Sequence, residues 1–378
     1  MRIPLFHVTA GAGHLKAAEA VHQALVSRGM PPSPVLDFLD FTNPLFKRVY
    51  PRTYMALANK RPNLLSLLYR QSDTIIHDEW RARLRIWFDR LNTRPLLRML
   101  REIGPDVIAC THFLPLEIFS ELRRLGHCSV PLVGILTDTS PHAIWAYPDV
   151  TLYCVANDLA VRELVRRGVP ADRIRVTGIP VSPEIRNSRP KEEVRSRLNL
   201  PNKPTVLVLS GGYGMGPLEE IVLSFGEATR DLSLVLVAGH NRDLKTRMEA
   251  WSATLPVDTT VFGYVNGLSD LIDASDVVVT KPGGLTTSEL LSKGKPMALV
   301  NPIPGQEERN ADYLLEHGAA IRIHDNSDTC YRVETLLGDP SKIARLEYSA
   351  RAIARPDAAD RISQILMDIA VRERRFAS

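Results

Sequence analysis

The apolar residues of the chain fall into short runs that alternate with segments of helical spacing. In the first half these runs occupy 3–9, 105–112, 131–138, 151–158 and 174–181. Runs of this length that lead into helical patterns predict buried parallel strands covered by helices. The first run ends in Gly11-Ala12-Gly13-His14 and a helical pattern follows. This order of strand, glycine turn and helix is typical of a Rossmann-type unit.

A second series of the same kind follows a charged, proline-containing stretch. Its apolar runs occupy 205–216, 232–240, 259–267, 276–284 and 296–305. We therefore expect an α/β protein with two Rossmann-like domains and a C-terminal helix that packs back on the first of them. The predicted segments are an N-terminal domain at 1–181, a linker with one short helix at 182–204, a C-terminal domain at 205–345 and a helical segment at 346–378.

Length and composition agree with this organisation. A chain of 378 residues exceeds one ordinary core, and 44% hydrophobic with 24% charged residues is a globular composition. The four cysteines show no C-x-x-C spacing, which is typical of a protein from the reducing cytoplasm. No apolar run approaches the roughly 18 residues of a membrane span, and the N-terminus does not resemble a secretory signal.

The charge is unevenly distributed, although the net charge is only +4. Residues 47–101 contain thirteen basic and four acidic side chains, a local charge of +9, with tyrosine and tryptophan interleaved. Basic and aromatic residues together suit an anionic membrane surface. A solvated helical face with aromatic residues in the core is the alternative interpretation. Nothing in the chain indicates a nucleic-acid partner.

Two motifs in the first half could act on an acceptor. Gly11 and Gly13 allow close approach at a strand-to-helix turn, and His14 lies near the helix N-terminus, whose dipole disfavours imidazolium. A neutral imidazole can serve as general base. Asp138 follows a predicted strand, where it faces a ligand or caps a turn. His142 and Trp145 follow Asp138 closely.

The second half contains two candidate phosphate sites. The loop 211–214, which is Gly211, Gly212, Tyr213 and Gly214, follows a strand and can wrap a phosphate with backbone N–H groups. Gly283 and Gly284 open a predicted helix whose N-terminus suits a diphosphate. Glu289 lies about one turn further along, where it can reach ribose hydroxyls. Amide and carboxylate side chains on the next loop and helix start suit sugar hydroxyls, and these are Gln306, Glu307 and Asn310. Pro282 and Thr286 flank the helix start and complete this cluster of donor-site candidates. Caps on two ordinary helices would explain some of these residues but not the whole cluster.

The chain has no D-x-D motif, so a metal-diphosphate clamp is not expected. Helix dipoles and backbone donors would then hold the diphosphate, and we predict neither a metal nor a cofactor.

Seven short motifs follow one another from the N-terminal to the C-terminal half of the chain. They are G-x-G-H at 11–14, T-D-x-x-x-H-x-x-W at 137–145, VTGIPV at 176–181, the glycine loop at 211–214, GYV at 263–265, TKPGG…T…E at 280–289 and PGQEERNADYLLEHGAA at 304–320. Over about 3–345, the chain resembles the processive diacylglycerol glucosyltransferases of Gram-positive bacteria and the plant monogalactosyldiacylglycerol synthases (glycosyltransferase family 28). More distantly, it is similar to the peptidoglycan N-acetylglucosaminyltransferase.

The resemblance implies a GT-B fold, in which two Rossmann-like domains face each other across a cleft. It implies His14 as the base for the acceptor hydroxyl, with an acceptor-side motif at Asp138, His142 and Trp145. On the donor side it implies a diphosphate site at Gly283 and Gly284, a ribose contact at Glu289, a uracil-binding loop at Tyr264 and Val265, and sugar contacts at Gln306, Glu307 and Asn310.

We therefore expect an inverting transferase that moves glucose or galactose from a UDP-sugar to diacylglycerol. It would act at the inner face of the cell membrane as a peripheral cytoplasmic protein. The alternatives are a UDP-N-acetylglucosamine transferase with another lipid-linked acceptor, a UDP-sugar 2-epimerase, and a nucleotide-sugar-binding regulator without turnover. The basic segment 47–101 argues against the epimerase, and candidate groups at His14 and Glu289 argue against the regulator.

Overall fold

The structure is a computed structural model that describes residues 1–9, 12–50, 95–211 and 218–377. Within these residues the chain separates into two compact units. The first unit comprises Met1–Pro183, Pro304–Gln306 and Asp357–Ser378, and the second comprises Glu184–Ile303 and Glu307–Pro356. The borders proposed from sequence for the two domains and the linker stay a prediction.

Six strands form the sheet of the first unit. They are β1 Leu5–His7, β2 Val35–Asp37, β3 Ile108–Cys110, β4 Leu132–Ile135, β5 Leu152–Val155 and β6 Ile174–Val176. All of them run parallel, in the order β2-β1-β3-β4-β5-β6. Every residue of β1, β3 and β4 is buried. The apolar runs of the sequence therefore correspond to strands that are covered on both faces.

Helices cover this sheet. They include α1 Ala12–Ser27, α2 Phe113–Arg124 and α3 Asp158–Arg166, and residues 44–50 and 95–103 are also helical. Phe6, Phe38 and Phe119 meet in the core with ring centroids 4.9–6.4 Å apart. In β4, a Cβ atom added to Gly134 would lie 3.0 Å from Leu116 and 3.1 Å from Tyr153. The glycine therefore allows α2 to pack closely on the sheet.

The second unit repeats the architecture. Its strands are β7 Thr205–Leu209, β8 Ser233–Val237, β9 Asp258–Phe262, β10 Val277–Thr280, β11 Met297–Leu299 and β12 Ala320–Arg322. They are parallel in the order β12-β11-β10-β7-β8-β9, which is the strand order of a dinucleotide-binding Rossmann sheet.

Among the described residues, eight α-helices belong to this half of the chain. They are α4 Lys191–Arg197, α5 Leu218–Ser224, α6 Arg242–Ser252, α7 Ser269–Ala274, α8 Gly284–Lys293, α9 Gln306–Glu316, α10 Thr329–Leu337 and α11 Pro340–Ile353. The short helix expected in the linker is α4. Its Arg195 is buried and pairs with Asp276 at 2.6 Å, so this helix is held to the second unit.

The helical segment expected at 346–378 falls in two helices. α11 ends at Ile353, and α12 spans Ala358–Ala377. Pro356 lies between them and disfavours a helical conformation at the residue before it. In α12, Ile362, Leu366 and Ala370 are buried in one core cluster with residues of β1 and α1. The C-terminal helix therefore packs on the first unit, as predicted.

The α/β fold class is thus confirmed: the chain has two parallel, Rossmann-like sheets. The aromatic and basic segment 47–101 falls largely outside the described residues, because the structure leaves out 51–94. Among the residues that are described, no helix combines the length and the apolar character needed to cross a bilayer.

Candidate functional site

The carboxyl edge of the first sheet carries the predicted base. β1 pairs with both β2 and β3, so the chain changes direction across the sheet at β1. Such a reversal opens a crevice beyond the carboxyl ends of the strands. His14 lies in the first turn of α1, after β1, and Thr111 directly follows β3. Strand pairing therefore brings together two residues that are 97 positions apart.

Thr111 holds His14 at two points. Nδ1 of His14 lies 2.6 Å from the carbonyl oxygen of Thr111, and the Thr111 hydroxyl donates to the His14 carbonyl at 2.9 Å. A carbonyl oxygen only accepts, so Nδ1 carries the proton and Nε2 has the free lone pair. The Thr137 hydroxyl lies 3.2 Å from the same Nδ1. This orientation gives His14 the tautomer that a general base needs.

The environment also keeps His14 neutral. The pKa of His14 is lowered from 6.5 to about 4, with burial as the largest cause; the hydrogen bond to Thr111 opposes this shift, and the nearby His7 adds to it. Desolvation disfavours the charged imidazolium. At neutral pH the ring is therefore in its basic form.

This lowered pKa predicts a pH profile. Because the base must be unprotonated, kcat/KM should stay flat from pH 7 to pH 5 and fall about tenfold per unit only below the His14 pKa of about 4. Initial rates in mixed micelles, with circular dichroism at each pH, would check this. A decline centred near pH 6.5 that persists in Glu307→Gln would contradict the assignment, since burial raises the pKa of Glu307 as well.

His112 lies beside His14 and was not among the sequence candidates. The two rings meet edge to face at 4.6 Å, and His112 stacks on Phe113 at 4.3 Å. Nδ1 of His112 accepts from the Leu114 N–H and so caps α2, and burial lowers the pKa of His112 well below its usual value. The signal in the sequence was the polar pair Thr111-His112 directly after a buried strand.

The acceptor-side candidates follow β4 and are buried. Nδ1 of His142 accepts from the Ile144 N–H and caps the short 3₁₀ helix Ala143–Trp145. Trp145 meets Phe113 edge to face at 6.3 Å. Asp138 accepts a hydrogen bond from the side-chain amide of Gln306, which groups with the first unit.

Among the glycines of the first motif, Gly13 lies in the first turn of α1, while Gly11 is outside the described residues. The roles of all these residues toward an acceptor stay predictions.

The second sheet has its own reversal between β7 and β10. β7 pairs with both β8 and β10. One predicted phosphate-binding segment follows β7 and the other follows β10. Gly211 comes after β7 with φ of +75°, which glycine adopts at little cost. Gly212, Tyr213 and Gly214 lie outside the described residues. On the other side of the reversal, β10 leads through Lys281 and Pro282 into α8.

The N-terminus of α8 carries no capping side chain. Gly283 is the N-cap, and it has no side chain that could bond to the N–H groups of the first turn. The Thr287 hydroxyl donates to the Gly283 carbonyl and the Ser288 hydroxyl to the Gly284 carbonyl, so both point back along the helix. The first-turn N–H groups, including that of Thr286, can therefore bind an anion.

Two residues of α9 pack against this helix start. Oε2 of Glu307 accepts from the Ile303 N–H at 2.7 Å, and Oε1 lies 3.8 Å from the position of a Cβ on Gly283. Burial lowers the pKa of the nearby Lys281. Asn310 is fully buried and donates to the Pro282 carbonyl at 3.1 Å. Asn310 therefore supports the backbone of the helix start, and its predicted sugar contact is untested.

Tyr264 and Val265 follow β9. Tyr264 is 45% exposed and stacks on His240, with ring centroids 3.8 Å apart and planes at 16°. His240 follows β8 and was not a sequence candidate. Val265 and Glu289 are half-buried. Their predicted contacts with uracil and ribose stay predictions.

The described residues also bear on whether the chain has a metal site. In the described parts of the chain, no three His, Cys, Asp or Glu side chains come together in a way that could hold a metal ion. The expectation of a metal-free reaction rests on the sequence and stays a prediction.

Two family models match the chain. Residues 14–181 match the model described as monogalactosyldiacylglycerol (MGDG) synthase, and residues 205–362 match the glycosyltransferase family 28 C-terminal domain. The two matches fall on the two predicted domains, so the resemblance found by motif extends over both halves.

Curated relatives match over nearly the full length. The chain is 30% identical to a processive diacylglycerol beta-glucosyltransferase of Bacillus thuringiensis (strain Al Hakam), over 95% of this chain and 91% of the relative. It is also 30% identical to the protein of the same name from Bacillus cereus (strain AH820), over 94% and 91%.

Solved structures share the fold at low identity. MurG of Acinetobacter baumannii superposes with a TM-score of 0.64 at 16% identity, covering 97% of this chain and 99% of that chain. Anabaena Alr3699/HepE in complex with UDP-glucose gives 0.58 at 15%, covering 98% and 99%. The UDP-GlcNAc 2-epimerase of Neisseria meningitidis gives 0.60 at 13%, covering 97% and 100%. The fold alone therefore does not separate transferases from epimerases.

Proposed function

Because the chain belongs to the family of the processive diacylglycerol beta-glucosyltransferases, we propose that it transfers a hexose from a UDP-sugar to the free hydroxyl of 1,2-diacylglycerol. The product would be a β-glycosyl diacylglycerol. The observation that carries this proposal is the neutral His14, whose Nδ1 is bound to the Thr111 carbonyl and whose Nε2 can accept a proton.

The proposed reaction is a single displacement. Nε2 of His14 takes the proton of the acceptor hydroxyl, and the hydroxyl oxygen forms a bond to the anomeric carbon. The bond from that carbon to the UDP oxygen breaks at the same time, and UDP leaves with the electron pair. Attack from the opposite face inverts the anomeric centre, so an α-linked donor yields a β-glycoside.

The second unit would hold the donor. The N–H groups at the start of α8, after Gly283, stabilise the negative charge that develops on the leaving diphosphate. Glu289 accepts from the ribose hydroxyls, and backbone atoms near Val265 bind uracil beside Tyr264. Glu307 and Gln306 contact the hydroxyls of the hexose. Because backbone donors carry the diphosphate, no metal or cofactor is needed.

The donors that we propose are UDP-glucose and UDP-galactose, which differ in the orientation of one hydroxyl. The acceptor is in the membrane, and the basic segment 47–101 is proposed to bind an anionic lipid surface. We therefore propose that the protein acts at the cytoplasmic face of the cell membrane as a peripheral protein.

Lipid analysis after reaction tests the function directly. The protein is incubated with diacylglycerol in mixed micelles and with UDP-glucose, UDP-galactose or UDP-N-acetylglucosamine, and lipid extracts are separated by thin-layer chromatography. We expect a glycolipid with at least one hexose donor, sensitive to a β-glycosidase. Conversion of UDP-N-acetylglucosamine to its 2-epimer without lipid product would instead support an epimerase, and glycolipid from that donor alone would exclude a hexosyltransferase.

A further inference from the structure

The loop between β11 and α9 contains an unusual backbone conformation. Asn301 has φ of +44°, and Asn199 with φ of +54° is the other non-glycine residue of the described chain with positive φ. Asparagine tolerates this left-handed region better than most residues. The backbone therefore turns at Asn301, shortly after the carboxyl end of β11.

The side chain of Asn301 begins a chain of hydrogen bonds. Its amide donates to Oδ1 of Asn326 at 2.8 Å, and the Asn326 amide donates to Oε2 of Glu220 at 3.0 Å. Asn326 begins the short 3₁₀ helix Asn326–Asp328 that follows β12, and Glu220 lies in the first turn of α5. Three segments that are far apart in sequence are thereby joined at the carboxyl edge of the second sheet.

The same loop leads to the donor side of the candidate site. Two residues beyond Asn301, the Ile303 N–H donates to Glu307, and Glu307 lies next to Gly283 at the start of α8. The position of the Glu307 carboxylate therefore depends on the path of 301–303. The hydrogen bonds from Asn301 to Asn326 and from Asn326 to Glu220 stabilise this path.

We propose that Asn301, Asn326 and Glu220 are positioning residues that fix Glu307 for recognition of the donor hexose. They act through the loop and do not touch the substrate. This inference rests on the proposed function, since it assigns a hexose to Glu307. Their loss should weaken binding of the UDP-hexose while leaving the binding of UDP, which lacks the sugar, nearly unchanged.

Binding and rate measurements on the full-length protein test this. Asn301→Gly removes one hydrogen bond and Asn326→Ala removes two, and the glycine keeps the left-handed backbone accessible at position 301. Each variant should raise the Kd for UDP-hexose by about three- to tenfold, which corresponds to the net contribution of one or two hydrogen bonds. The KM for UDP-hexose should rise by a similar factor while kcat changes less. The Kd for UDP should change less than about twofold in the same variants. In a Glu307→Gln background, Asn326→Ala should add little further loss, because the two act on one contact.

Asn199→Gly is the matched control, because it makes the same change at the other left-handed asparagine and should leave both ligands unaffected. If Asn326→Ala does not fold, the exposed Glu220→Ala removes the acceptor of the Asn326 amide and should give the same selective loss of UDP-hexose binding. Equal losses for UDP and UDP-hexose, or additive effects with Glu307→Gln, overturn the inference. A wild type that binds UDP-hexose but makes no glycolipid refutes the proposed function alone, and the binding ratio still decides the inference. A wild type that binds no UDP-hexose refutes both.

Discussion

His14→Ala is expected to lower kcat/KM for glycolipid formation by a factor of about 10² to 10⁴, the usual contribution of a positioned general base. The variant lacks the Nε2 lone pair that accepts the hydroxyl proton. The affinity for UDP should stay within about twofold of the wild-type value, because the N–H groups that we propose to bind the diphosphate lie in the second unit. Initial rates with radiolabelled UDP-hexose and calorimetric titration with UDP measure the two effects separately.

His22→Ala is the matched control for this prediction. His22 is a half-buried histidine on the same helix, α1, and has no role in the proposed chemistry. Its activity should follow its thermal stability and not fall a hundredfold. Near-normal turnover of His14→Ala would remove His14 from the mechanism, and a parallel loss of UDP binding would indicate a structural role.

Asp273→Ala is expected to lower the free energy of unfolding of the second unit by about 3–5 kcal/mol, the cost of leaving one member of a buried ion pair uncompensated. Nζ of Lys293 lies 2.8 Å from Oδ2 of Asp273, and the two side chains are 0% and 3% exposed. The same carboxylate accepts from the Arg189 N–H at 3.1 Å. Urea denaturation followed by circular dichroism measures the loss.

An exposed ion pair in the same unit provides the comparison. Lys245 and Glu249 pair on α6 with side chains that are 38% and 49% exposed, so Glu249→Ala should cost less than about 1 kcal/mol. Adding Lys293→Met to Asp273→Ala should restore part of the stability, because the buried charge is then removed. If Asp273→Ala alone is as stable as the wild type, water or another group compensates the buried charge of Lys293.

Much of the architecture and of the candidate site could be predicted from local patterns. Buried runs of strand length followed by helical spacing predicted two Rossmann-like sheets, because burial on both faces of a parallel strand requires continuous apolar sequence. His14 was identified because a strand, glycines and a helix follow one another in 3–25. Gly283 was identified because a helix that starts with glycines leaves backbone donors for an anion. Each of these signals lies within one short segment.

Contacts between distant segments could not be predicted in this way. That Thr111 holds the tautomer of His14 depends on β3 pairing with β1, a register that no local pattern specifies. The break before α12 and the link from Asn301 to Glu220 likewise depend on how separate elements pack. The sequence by itself determined the elements and which residue types lie at their ends. Only the tertiary structure decided which of those ends meet, because meeting depends on strand order and packing and not on neighbours in the chain.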